Sequence, residues 1–242
     1  MCSAAGRQRL AVVTGAGKGL GEALVHELSA EGWLVLAVVR QAVHAEALGA
    51  LTGVQTLVHD VRSDDLGPVL EALQARPVDV LINNAAQGAR HQPLGTVEAD
   101  GVLNAVNVNV AGPLRMVQAL LPNLLEAAHP VIVNVTSRLG SMSAQARGDY
   151  AELSTSYAYR ISKAAQNMLT VSLAHDLRGK VHCWAVHPGK LATDMGRAGA
   201  VKPPRLAAQE LRTLLDDAFL DHADADRRSP RYISLGEAEL DW

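Results

Sequence analysis

Leu10-Ala-Val-Val-Thr14-Gly15-Ala-Gly-Lys-Gly19-Leu-Gly21-Glu22-Ala-Leu-Val-His-Glu-Leu28 runs from a short apolar, β-branched strand through a glycine turn into a segment with helical spacing. The missing side chains at Gly15, Gly19 and Gly21 let the backbone turn tightly. They also let a pyrophosphate approach the helix N-terminus, where unpaired N–H groups and the dipole favour an anion. Trp33-Leu-Val-Leu-Ala-Val-Val39 then supplies a second buried strand and completes a βαβ unit, the context a dinucleotide-binding turn requires.

The residue closing that second strand selects between the two nicotinamide dinucleotides. An acidic residue there bonds the ribose 2′-hydroxyl, but this chain has Arg40, and Lys18 lies inside the glycine turn near the same ribose. Two cations facing one 2′-phosphate argue for NADP(H), since a guanidinium grips a phosphate in bidentate fashion. Asp60-Val61 follows the third strand, Val54–Val58, at a carboxyl end that opens onto the crevice. There Asp60 can accept from the adenine amino group and Val61 can pack on its ring, the competing account being a carboxylate that starts a helix.

Further strands are expected at Val78–Ile82, Pro130–Ser137, Val181–Val186 and near Arg231–Leu235, and helices at about Asp64–Ala75, Ala99–His129, from the Tyr157–Lys163 stretch to about Arg178, and about Pro204–Leu220. Pro113 and Pro122 are expected to bend or break the second of these helices, which carries Asn109. The alternation predicts one α/β domain over 1–242: a Rossmann-type, doubly wound parallel sheet of about seven strands with helices on both faces. Asn83 and Asn84 end the fourth strand, where they tie neighbouring strands together or meet the cofactor ribose. Ser137 ends the fifth, beside the crevice. Residues 138–156 are expected to form a long functional loop.

Tyr159 and Lys163 are four residues apart at the start of a helix, so the ammonium can lie close to the phenol. A nearby cation stabilises the phenolate and brings a poor acid toward working range. Tyr157 and Tyr150 do not share the lysine's face at one turn. Asn109, mid-helix, fits a packing role as well as a catalytic one.

The 22 basic and 25 acidic residues give a formal charge of −3, so nothing suggests a nucleic-acid or anionic-membrane partner. No run is long enough for a membrane span and the first residues lack a secretory h-region, so a cytoplasmic protein is expected. Cys2 and Cys183 have no metal or redox spacing, and the nine histidines form no ligand cluster; no metal site is expected. Lys190, Arg197, Lys202 and Arg205 crowd the loop after the sixth strand, where they greet an anionic substrate or are simply solvated.

Four patterns in order, Thr14-Gly15-x-x-x-Gly19-x-Gly21, Asn83-Asn84-Ala85, Tyr159-x-x-x-Lys163 and Pro188-Gly189, resemble the short-chain dehydrogenase/reductase family over essentially the whole chain. Tyr157–Lys163, His187-Pro-Gly189, Thr193-Asp-Met-Gly196 and the segment from Leu235 to Trp242 are similar to the Sniffer-type and C-factor-like carbonyl reductases. The resemblance implies that Tyr159 protonates a carbonyl oxygen as hydride arrives, while Lys163 depresses the phenol's pKa and holds the ribose hydroxyls. It implies that Ser137 stabilises that oxygen, with Ser141 as a rival, and that Asn109 serves where a water links the lysine to solvent. It further puts Gly17, Leu20, Ala85, Ala86, Pro188, Gly189 and Leu191 at the cofactor, and has Thr193 hold the carboxamide. Ala86 departs from the family's usual glycine, and Ser137 and Tyr159 are unusually far apart. The expected activity is NADPH-dependent reduction of a ketone or aldehyde, or its reverse. A redox-neutral isomerase or epimerase and a non-catalytic NADP(H) sensor are the alternatives. Small and apolar residues on the Tyr159 helix suit a homodimer or homotetramer, or else face the sheet. The substrate mouth is expected from 87–98, 138–156 and 190–205.

Overall fold

Alternate residues of the first strand, β1 (Leu10–Thr14), feed two different cores: Ala11 and Val13 pack on one side of the sheet and Leu10 and Val12 on the other. Burial on both faces is why this strand and β2 (Leu34–Val39) appear as continuous apolar runs rather than alternating ones. The computed structural model describes residues 7–88, 91–193, 199–220 and 229–242. With β3 (Val54–Val58), β4 (Val80–Asn83), β5 (Val131–Val135), β6 (His182–His187) and β7 (Arg231–Ser234), these strands form one all-parallel sheet in the order β3-β2-β1-β4-β5-β6-β7. This is the expected α/β, Rossmann-type sheet of seven strands. The order reverses between β1 and β4, which opens a crevice at the carboxyl ends of the strands.

On one face lie α1 (Gly19–Ala30), α2 (Ala42–Gly49) and α8 (Pro204–Leu220), whose Leu24, Leu28, Leu48, Leu211 and Leu215 join the core of Val13, Val35 and Trp184. The other face is covered by α3 (Gly67–Leu73), α5 (Gly112–Leu125) and α7 (Tyr157–Asp176), through Leu73, Met116, Leu120 and Leu173. A shorter α4 (Ala99–Val106) packs against α7.

The differences from expectation are local. Helix α2 was not anticipated. The expected helix at Asp64–Ala75 is trimmed at both ends to α3, and its C-terminal end is set where Gln74 and Ala75 adopt positive φ of 51° and 58°. The long helix at 99–129 is interrupted by a π-helical turn at Asn107–Ala111, not at its prolines. Pro113 sits in the first turn of α5, where a missing N–H costs nothing, and the helix continues past Pro122. The segment 138–156 is not all loop, since it contains α6 (Met142–Arg147), whose first turn is capped by the Ser141 hydroxyl accepting from Ala144 N at 3.1 Å. No described helix is long and apolar enough to cross a membrane.

Candidate active site

A cleft of about 750 Å³ follows the carboxyl ends of the strands, and most of the sequence-predicted residues line it. At one end are Gly15, Gly17, Lys18, Gly19 and Leu20 of the turn, with Arg40, Asp60 and Val61. Asn84, Ala85 and Ala86 line its middle, and Ser137, Tyr159 and Lys163 the other end with Pro188, Gly189, Leu191 and Thr193. Gly21 and Asn109 do not face it. Asp194, Met195, Gly196 and Arg197 lie outside the described residues.

The glycine turn is built by close approach. A Cβ on Gly15, whose φ is +63°, would lie 2.6 Å from Ala85 Cα, and one on Gly21 would lie 2.2 Å from Gly15 O. Gly21 therefore serves the packing of α1 against the turn rather than the ligand. Asn84 has the clamping role: its Nδ2 donates to Thr14 O at 3.0 Å and Gly15 O at 3.1 Å, and its own N–H donates to Thr14 Oγ1 at 3.1 Å. The backbone of Gly15, Gly17 and Gly19 that lines the cleft, the start of α1 and the cations Lys18 and Arg40 together fit a nucleotide pyrophosphate and a phosphorylated ribose. Asp60 lines the cleft, paired there with its neighbour Arg62. Arg62 donates to both its oxygens, at 3.1 Å through Nε and 2.6 Å through Nη2. That guanidinium is the main reason the carboxyl group falls to about 2.

Lys163 Nζ lies 5.8 Å from the centre of the Tyr159 ring. The ammonium is fully buried and donates to Val135 O and Gln166 Oε1, each at 2.8 Å. Burial pushes it down to about 7. The residue that receives it belongs to a polar chain through the core. Thr170 Oγ1 donates to Gln166 O and accepts from Asn134 Nδ2, both at 2.9 Å, and Asn83 Nδ2 donates to Asn134 Oδ1 at 2.9 Å. Thus Asn83 ties β4 to β5 and, through α7, to the lysine.

The two candidate serines are separated. Ser137 is on the cleft, with Oγ accepting from Leu139 N at 3.3 Å, so its proton remains to be given. Ser141 is 2% exposed, caps α6 and does not line the cleft. Asn109 is fully buried in the π-helical turn and its carboxamide is committed to protein: Oδ1 accepts from Gln87 N at 2.7 Å, and Nδ2 donates to Gln87 O at 3.0 Å and Ser162 Oγ at 2.9 Å. Its amide thus fastens the segment after β4 to α7.

Sequence reasoning missed the groups that shape the mouth. Arg160, next to Tyr159, donates to Thr155 Oγ1, to Gln145 Oε1 at 3.3 Å, to Leu153 O at 2.7 Å and to Tyr150 O at 3.4 Å. It therefore pins the insertion that lengthens the Ser137–Tyr159 spacing. His91 Nδ1 lies 3.2 Å from Thr155 O and joins the segment after β4 to this insertion. His187 lines the cleft with a buried Nδ1 that has no partner among the described residues, and burial, reinforced by Arg138, holds its imidazole down at about 4. Arg138, the residue after Ser137, also lines the cleft.

Residues 9–202 match the model of the family described as short chain dehydrogenase. The chain is similar to C-signal of Myxococcus xanthus, at 35% identity over 167 residues that cover 69% of this chain and 93% of that protein. It is also similar to L-xylulose reductase of Mesocricetus auratus, at 34% over 199 residues, 81% of this chain and 77% of that one. Among solved structures it resembles an NADPH-bound carbonyl reductase from chicken fatty liver, with a TM-score of 0.84 and 25% identity, covering 98% of this chain and all of the other. It shares its fold with the carbonyl reductase Sniffer of D. melanogaster, with a TM-score of 0.82 at 24% identity over 98% and 100% of the two chains. The crevice at the point where strand order reverses, the glycine turn beneath it and these matches over most of the length lead to one assignment: the chain belongs to the short-chain dehydrogenase/reductase family of nicotinamide-dependent oxidoreductases.

Proposed function

We propose that the chain is a single-domain carbonyl reductase that uses NADPH to reduce a ketone or aldehyde. The observation that carries this reading is that Tyr159, Lys163 and Ser137 line the same cleft as the glycine turn and Arg40. A reduced nicotinamide supplies the hydride. Tyr159 gives its proton to the carbonyl oxygen, and the Ser137 hydroxyl donates to that oxygen as charge develops on it. Lys163, held by Val135 O and Gln166, sets its positive charge beside the phenolate that remains. Thr193, Leu191, Pro188 and Gly189 wall the nicotinamide end, while Lys18 and Arg40 receive the 2′-phosphate. The NADPH named for the chicken carbonyl reductase, and the carbonyl substrates in the names of the reductase relatives, support this reading.

The enzyme acts as a cytoplasmic homo-oligomer. A second copy would cover the exposed Leu103 of α4, Leu114 of α5, and Ile161 and Met168 of α7, and the buried free thiol of Cys183 suits a reducing compartment. The test is Tyr159→Phe, followed by absorbance of the reduced nicotinamide with a panel of carbonyl compounds. Turnover should fall at least about 100-fold while NADPH affinity stays within about threefold. Unchanged turnover in that variant removes the proposed acid.

A further inference from the structure

Positive charge is concentrated at both ends of the cleft, in a chain whose formal charge is −3. At the nucleotide end Lys18, Arg40 and Arg62 have phosphates to meet, with Asp60 beside them. At the Tyr159 end Arg138 and Lys190 line the cleft, and no described Asp or Glu lines it there. The dinucleotide does not account for this second pair.

Arg138 is the more telling of the two. It is half-buried, its guanidinium lies 5.4 Å from the Tyr150 ring centre, and it has no carboxylate partner among the described residues. Nearby cations are neutralised: Arg147 by Asp149 and Asp241, Lys202 by Glu210 at 2.5 Å, and Arg231 by Glu239 at 2.5 Å. Of the cations that crowd the loop after β6, Lys202 turns to Glu210 and to Leu235 O, Arg205 does not line the cleft, Arg197 lies outside the described residues, and Lys190 remains. Charges from Arg138, Lys202 and Lys163 all act on His187 in the cleft wall, against Glu237, which accepts from Ser234 Oγ at 2.7 Å and does not line the cleft. A half-buried guanidinium without an anion is costly to desolvate, and its planar fork matches a carboxylate.

We propose that the carbonyl substrate also carries a carboxylate, received by Arg138 and Lys190 at the Tyr159 end of the cleft. The substrate class is thus an oxo acid, and the inference rests on the reductase reading above. The carbonyl carbon gains the hydride and its oxygen the proton, the nicotinamide is oxidised, and the carboxylate leaves unchanged on a hydroxy acid.

The test compares aliphatic oxo acids with their methyl esters, carbonyl and carboxylate one to three carbons apart, by NADPH oxidation. The acid should exceed its ester in kcat/KM by at least about tenfold, mainly through KM. In Arg138→Gln, and further in Arg138→Gln with Lys190→Gln, that ratio should fall toward one. Calorimetric titration of the NADP⁺ complex with butyrate and with butyramide gives a readout without turnover: butyrate should saturate, butyramide should not, and Arg138→Gln should lose the difference. Esters reduced as well as acids, with no butyrate binding, overturn the oxo-acid proposal and leave the reductase intact. Butyrate bound through Arg138 by a protein that leaves NADPH unoxidised with every carbonyl compound tested supports the anion site and overturns the reductase reading.

Discussion

The phenolic hydroxyl of Tyr232 donates to the main-chain carbonyl of Ser137 at 2.5 Å, from a strand at the far edge of the sheet. Tyr232 is 1% exposed and its ring stacks on Trp242 with centroids 5.1 Å apart. Trp242 is held in turn by its carbonyl, which accepts from Ser143 N at 3.0 Å, and Leu240 N donates to Tyr232 O at 2.8 Å. The last strand and the segment after it therefore brace the turn that presents the serine. Tyr232→Phe, which removes only the hydroxyl, should lower kcat several-fold with little change in the KM for NADPH. It should cost about 1 kcal/mol in urea unfolding. Combined with Ser137→Ala its effect on kcat should be less than additive; full additivity would show that the brace does not act through the serine.

Arg40 should govern the choice between the two nicotinamide dinucleotides. Arg40→Ala should lower the ratio of kcat/KM for NADPH over NADH by about 10- to 100-fold, and Arg40→Asp should lower it further. Parallel titrations of both cofactors check this, and a ratio that does not move would place the 2′-phosphate elsewhere.

His187 should make the fold sensitive to acid. Its folded-state value of about 4 lies below the ordinary 6.5, chiefly through burial, so between those values the unfolded chain binds the extra proton. The stability that depends on neutral His187 is complete above pH 6.5 and is lost as pH falls toward 4. Unfolding free energies from urea titrations over that range should drop more steeply for the wild type than for His187→Gln, by up to about 3 kcal/mol. Parallel curves would mean that the imidazole is not excluded from water.

Two glycine substitutions should move stability in opposite directions. In Gly21→Ala the new methyl group would meet Gly15 O at 2.2 Å and Asn84 Nδ2 at 2.6 Å, a backbone contact with little room to give. It should cost more than about 2 kcal/mol and weaken NADPH binding. Gly101→Ala, in α4 with nothing within 4 Å of the new Cβ, should stabilise by about 0.5–1 kcal/mol. Thermal melts followed by circular dichroism distinguish the two.

The strands were legible because double-sided burial leaves an unbroken apolar signature, as in Val35–Val39. The glycine turn and the Tyr159–Lys163 spacing were legible because both are local. Helix α2 left no such trace, since Leu48 is its one buried residue and no stripe marks a face. The π-helical turn at Asn107–Ala111 has no composition of its own, whereas prolines advertise a break even where, as at Pro113 and Pro122, the helix accommodates them. The pairing of Asp60 with Arg62, two residues on, is not marked by the strand-end position that places Asp60 at the crevice. Tyr232 and Ser137 are 95 residues apart, and no local pattern announces such a partnership. The choice between Ser137 and Ser141 likewise needed coordinates, since both follow β5 within a few residues and only one turns toward the cleft.

On the proposed reductase reading, Arg160 would tie substrate access to proton delivery. The guanidinium that staples Tyr150, Leu153 and Thr155 grows from the residue directly after Tyr159, so the stapled segment and the proposed proton donor share one anchor. Side-chain changes on the stapled segment would then alter admission alone, leaving that anchor in place. Replacing the staple itself would alter admission and protonation together.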